Sequence, residues 1–174
     1  MKKATMASPH YAFKALAFDA DTAHFKLRTL SREAVAFQSD TLKAHVDYNY
    51  QRARFRSLSE YNEAAFPQNL YTSYLDQFVW KMDADELAIE STPEGRQGDH
   101  LNTLRDDSLG GALFMSTHLS QDSLRFASPE ATFSIADTTL TANKVKYLHV
   151  ADAKIFPKDR SEERRVGKEC IVKC

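Results

Sequence analysis

The sequence predicts an all-β chain of stacked antiparallel hairpins with little helix. Three observations lead there. Apolar and polar residues alternate with period two in several stretches, the pattern of half-buried strands. Short polar turns separate those stretches. The first 94 residues contain no glycine, so their turns fall to Asp, Asn and Ser, whose side chains bond the local backbone. With 174 residues, 43% hydrophobic and 11% aromatic, the chain can build one core but hardly two. That composition excludes wholesale disorder.

Met1-Lys2-Lys3 is basic like the start of a signal peptide, but residues 4–10 are polar and interrupted by Pro9. No apolar segment follows, so the expectation is either a cytoplasmic protein or an internal fragment whose start lies upstream, and the tail described below favours the fragment. Helical signals are weak: one turn opened by Ser31 over 31–37 and another over 60–66. The clearest strand is 42–50, with Leu42, Ala44, Val46, Tyr48 and Tyr50 on one face and Lys43, His45, Asp47 and Asn49 on the other. The phase then reverses to Ala53 and Phe55 against Arg52, Arg54 and Arg56, which predicts a hairpin or bulge at 49–52. A second hairpin reads 74–82, a turn at Asp83-Ala84-Asp85-Glu86, and 87–90, with Phe78, Trp80 and Met82 answered by Leu87 and Ile89. A third runs 124–135 around Pro129, turns at Asp137-Thr138 and continues from Leu140 to Ile155. Pro129 lacks an amide donor, so it belongs at a strand start, edge or bulge.

A weak repeat runs through these segments. Phe18-Asp-Ala-Asp21-Thr22 and Phe37-Gln-Ser-Asp40-Thr41 are 19 residues apart, and Phe133-Ser-Ile-Ala-Asp137-Thr138 repeats the phrase with one insertion. Each Asp-Thr pair is expected to make a turn. Residues 94–111 hold Gly95, Gly98, Gly110 and Gly111 and few apolar residues, and predict a long surface loop between two groups of strands.

The formal charge of −1 and the absence of a long apolar run give no case for nucleic acid or for a membrane-spanning segment. Four carboxylates near one turn make Asp83 and Asp85 a calcium candidate, against a solvated hairpin turn as the simpler reading. Asp19 and Asp21 form a similar pair. The six histidines show no short metal-ligand spacing. No G-x-S-x-G elbow, P-loop or dinucleotide fingerprint occurs, so neither a catalytic residue nor a cofactor is expected. Arg52, Arg54 and Arg56, flanked by Tyr48 and Tyr50, have the composition of a polyanion platform, and cross-strand ion pairing is the expected role instead. Trp80, in phase with Phe78 and Met82, reads as core before it reads as a sugar-stacking residue.

Residues 160–170, Arg-Ser-Glu-Glu-Arg-Arg-Val-Gly-Lys-Glu-Cys, resemble the in-frame translation of a common sequencing adapter. The resemblance implies a non-native tail over 160–174. Setting the tail aside leaves residues 1–159 as one domain with net charge −3 and no cysteine. Disulfide, zinc-thiolate and cysteine-nucleophile chemistry then have no residues to use.

The stretch from Phe37 to Ser57, with its strand ending Tyr48-Asn49 and returning on small and apolar residues, resembles an OstA-like repeat. Phe66-Pro67-Gln-Asn69-Leu-Tyr71, the run from Leu75 to Asp83, and Gln121 to Phe126 followed by Ser128-Pro129 are similar to segments of large bacterial envelope β-repeat proteins. Together the resemblance spans about 16–157. It implies an open β-jelly-roll or β-solenoid-like stack, no catalytic residues, and a cell-envelope or periplasmic setting if the parent chain bears a signal peptide. It also implies partners in neighbouring β-repeats of the same chain or in lipid acyl chains, with an apolar face formed by Val46, Tyr48, Phe78, Trp80 and Phe133. The alternative is a ligand- or carbohydrate-binding β-sandwich with calcium near Asp83 and Asp85.

Overall fold

A computed structural model describes residues 3–30, 34–59, 62–90, 111–157 and 164–166. Its strands join one 16-stranded antiparallel sheet that is not closed. The chain crosses this sheet repeatedly in long strokes, each bent near its middle. The bends fold the sheet into two facing layers. The first layer holds β2 (His10–Phe13), the start of β3 (Ala17–Arg28), the end of β4 (Val35–Asp47), β5 (Arg52–Ser57), β8 (Gln77–Lys81), β9 (Glu86–Glu90), β12 (Glu130–Ser134), β13 (Thr139–Asn143) and β16 (Arg164–Val166). The second holds β1 (Ala4–Ala7), the end of β3, the start of β4, β6 (Glu63–Phe66), β7 (Tyr71–Tyr74), β10 (Ala112–Ser116), β11 (Arg125–Ser128), β14 (Leu148–Val150) and β15 (Ala153–Ile155).

The corners explain the Asp-Thr repeat. Thr22 and Thr41 sit in the left-handed region at φ 54° and 56°, and the β3–β4 register shifts there between Ala20 and Ala23. A left-handed residue inside a strand bends it and resets which side chains face inward. The third copy, Thr138 at φ 52°, ends a hairpin turn instead. Corners also fall at Pro129 between β11 and β12 and at Lys144, φ 59°, between β13 and β14. Pro129 therefore sits where a missing amide breaks no ladder.

Between the layers lies a core of aromatic rings. Phe25, Phe37, Phe55, Phe66, Phe78, Phe114 and Phe133 are fully buried. Rings from opposite layers meet edge-on, Phe37 to Phe78 at 4.9 Å and Phe66 to Phe133 at 5.2 Å. Phe25 lies 4.2 Å from Phe55, which stacks on Phe78 at 4.6 Å. Burying each such side chain contributes about 1.5–3 kcal/mol. Away from the corners the hairpin tips of the two layers also touch, the Asn69 Nδ2 donating to the Thr138 carbonyl at 2.8 Å. Lys3 Nζ reaches Asp85 Oδ1 at 2.9 Å in the same region.

Most of the expected elements appear, and three are corrected. The hairpins turning at 49–51 and 83–85 and around Asp137-Thr138 are present. The described parts of the helical turns expected over 31–37 and 60–66 are strand instead: Val35–Phe37 begins β4 and Glu63–Phe66 is β6, while 31–33 and 60–61 lie outside the described residues. Pairing with β3 and β7 outweighs the local helix preference of Ala and Glu. The strand expected from Leu140 to Ile155 breaks at Lys144 into β13 and a separate β14–β15 hairpin. The segment 74–82 likewise breaks, because Tyr74 ends β7 and the chain turns a corner before β8. The 94–111 loop lies outside the described residues except for Gly111. Of the tail, Arg164–Val166 adds a short strand to β13.

Candidate functional site

Cross-strand register organises the inward face of the first layer into rows. One row runs Phe13, Phe18, Val46, Ala53, Trp80, Leu87, Phe133 and Leu140 across seven pairings. The next runs Tyr11, Ala20, Ala44, Phe55, Phe78, Ile89, Ala131 and Ala142. Of the residues assigned to the apolar face, Val46, Trp80 and Phe133 fall in the first row and Phe78 in the second, Tyr48 lies beyond the end of β4 in neither, and they differ in exposure. Val46, Phe78 and Phe133 are buried at 4%, 1% and 0%, whereas Tyr48 is 57% exposed. Trp80 is half-buried against Phe25, with ring centroids 5.7 Å apart. Its buried indole N–H has no acceptor among the described residues. The middle of the face is therefore packed core.

Where the rows reach β2 and the β4–β5 tip, the core gives way to an exposed aromatic patch, called the mouth below. Phe13 is 77% exposed and Tyr50 71%, with Tyr11 and Leu16 beside them. Tyr11, Phe13, Phe18 and Tyr48 form a chain of ring contacts at 5.7–6.0 Å. Tyr11 also donates from its hydroxyl to the Met6 carbonyl at 3.1 Å, spanning from one layer to the other. The residues of β2 escaped sequence reasoning. Their signal was the alternation of Tyr11 and Phe13 with His10 and Ala12, four residues long and so too short to stand alone. At the opposite rim, Ile155 and Phe156 are exposed, and Phe156 touches Tyr147.

The outward face of the first layer is polar. His45 Nδ1 and Asp19 Oδ1 lie 2.6 Å apart across β4 and β3, and Lys14 bonds the same carboxylate at 3.0 Å. Hydrogen bonds from His45 and then Lys14 hold the Asp19 carboxyl below its usual pKa. Arg52, Arg54 and Arg56 point outward from β5, opposite Asp47, His45 and Lys43 respectively. The expected ion pairing of this stripe does not occur: among the described residues none of the three guanidiniums has a carboxylate within 4.0 Å. Asp47, the nearest acid by register, accepts instead from the Asn49 and Tyr50 amides at 2.9 and 3.1 Å and shapes the tip. Tyr48 does not flank the stripe, because it turns toward Phe18 at the mouth.

Both oxygens of Asp85 are engaged by Lys3, at 2.9 and 3.0 Å, and Asp83 accepts from the Ala84 amide. Among the described residues no three histidine, cysteine or acidic side chains converge as metal ligands. No described helix is long and apolar enough to cross a membrane. Compared with known proteins, the chain matches no family model and no curated sequence.

Proposed function

We propose that this chain is a non-enzymatic structural or lipid-bridging β-repeat segment of a larger bacterial envelope protein. One observation supports this reading above the rest: the buried aromatic rows do not end at a polar cap but run out into an exposed mouth lined by Tyr11, Phe13, Leu16 and Tyr48. Exposed aromatic patches of this kind mark interaction sites in folded proteins. The patch continues the inward-facing rows through Phe18 and Ala20, so an acyl chain seated there would lengthen those rows. The end strands β15 and β16, each with one edge unpaired among the described residues, also suit extension by strand addition.

The test is photo-cross-linking. A benzophenone amino acid in place of Phe13 or Tyr48 is expected to capture an acyl-chain amphiphile offered in mixed micelles. The same group in place of Leu58, which is 46% exposed at a corner, should capture none. Equal labelling at all three positions, or none at the mouth, overturns the lipid-bridging role.

A further inference from the structure

We infer that the outward face of β5 is a binding groove for a ligand carrying two or more phosphoryl groups. The groove encloses about 510 Å³ and is lined by Lys43, Arg52, Arg54, Arg56 and Lys81 with only two carboxylates, Asp19 and Glu90. A chain of net charge −1 has thus gathered five cations on one concave face.

Of the five, Lys43 pairs with Asp21 at 4.0 Å and Lys81 with Glu86, which leaves the three arginines not used up by the fold. Asp19 is held by His45 and Lys14, Lys81 by Glu86 at 2.6 Å, and Asp47 by its own turn. Glu90 sits on β9, two strands from β5 in the sheet. The three guanidiniums are left exposed and without an ion pair among the described residues. Arg56 faces Lys43 and Arg52 faces Lys81 directly across the sheet, and like charges so opposed are destabilising. An arrangement that keeps three of them facing one groove is accounted for by an anion that binds there.

Geometry narrows the ligand. Alternate residues on a strand are about 7 Å apart, so Arg52, Arg54 and Arg56 present planar donor forks at that interval. Arginine forks match phosphate oxygens two at a time. A ligand with phosphoryl groups at similar spacing engages two or three forks together, while a single phosphate engages one. The site is on the outside of the sheet and stands independently of the aromatic mouth.

The experiment measures binding of the full chain by calorimetry to inositol hexakisphosphate, and by flotation to neutral vesicles with or without phosphatidylinositol bisphosphate. Inorganic phosphate serves as the single-charge comparison. Binding is expected in at least one arm, with inorganic phosphate about tenfold weaker or worse, and the arm that responds identifies a soluble or a headgroup source. The triple variant Arg52→Gln, Arg54→Gln, Arg56→Gln should lose at least about tenfold in affinity. Lys26→Gln, an exposed charge on the other layer, should bind as the parent does. Circular dichroism confirms that each variant is folded, and Arg54→Gln alone replaces the triple variant if that one is not. No binding in either arm, binding that survives loss of the arginines, or equal loss in Lys26→Gln overturns the inference.

Discussion

The side-chain amide of Asn69, in the β6–β7 tip, donates to the backbone carbonyl of Thr138, in the β12–β13 tip, at 2.8 Å. Sixty-nine residues separate them, and each belongs to a different layer. Asn69 is 6% exposed, so the bond is made out of water. Removing a donor there leaves a carbonyl with less to bond, at a cost of about 1–3 kcal/mol. Asn69→Ala is expected to lower unfolding free energy by about 1–2 kcal/mol in denaturant titration. A change below about 0.3 kcal/mol would mean the tips stay together without it.

The packed and the open parts of the aromatic rows should respond differently to truncation. Phe78 contacts Phe25, Phe37 and Phe55 and is 1% exposed, so Phe78→Ala should cost about 3–5 kcal/mol. Tyr48 shares the face but is 57% exposed, and Tyr48→Ala should stay within about 0.5 kcal/mol. Comparable losses at the two positions would show that the mouth is core.

The difference between those two residues also marks the limit of what the sequence could tell. Alternation around 42–56 revealed the first hairpin because Val46 and Ala53 face one core from paired strands. The same logic found the pairing of Phe78 and Trp80 with Ile89 and Leu87. Alternation says which side faces inward but not where along a row the opposite layer stops, so buried Val46 and exposed Tyr48 looked equivalent. The bends were hidden for another reason. At Thr22 and Thr41 the chain passes through a corner without leaving the sheet, and the shift in phase reads locally as a turn. Near 36–37 two successive residues, Ala36 and Phe37, are buried beside an irregular pairing with β3. Adjacent buried positions break period two and imitate a helix face.

The Asp19–His45 contact predicts an acid dependence. Its neighbours lower the folded-state pKa of Asp19, so the pair stabilises the protein above the unfolded carboxyl pKa near 3.9 and that stabilisation disappears as pH falls through the lowered value. The Asp19 and His45 side chains are 37% and 45% exposed, which keeps the contribution below about 1 kcal/mol. The stability gap between parent and Asp19→Asn should be steady from about pH 5 to 7 and close below about pH 4. A gap that persists at pH 2.5 would assign the effect to something other than this carboxylate.

The tips bear left-handed residues with side chains, among them Leu70 at φ 57° and Ala151 at φ 51°. Such a conformation costs a side-chain residue more than it costs glycine. Ala151→Gly, at an exposed tip where little packing is lost, is expected to raise stability by about 0.5–1 kcal/mol. An unchanged or lower melting temperature would show that unfolded-state entropy outweighs the relieved strain.

Gly111 presents the reverse case. It enters β10 at φ 112°, a region side chains rarely adopt. A Cβ there would lie 2.2 Å from the Ser128 carbonyl carbon and oxygen and 2.4 Å from the Pro129 nitrogen. These are backbone atoms of the neighbouring strand and its corner, with no rotamer to move aside. Accommodating the methyl means shifting β11 where Ala112 pairs with Ser128, or opening the corner that starts β12. Gly111→Ala should therefore cost at least about 2–3 kcal/mol. It should also speed hydrogen exchange at the β10–β11 pairing more than at β4–β5. Ala112→Gly, which adds flexibility without a clash, should cost about 1 kcal/mol. If the two substitutions are equivalent, the close approach of Gly111 to the corner is not what fixes the residue there.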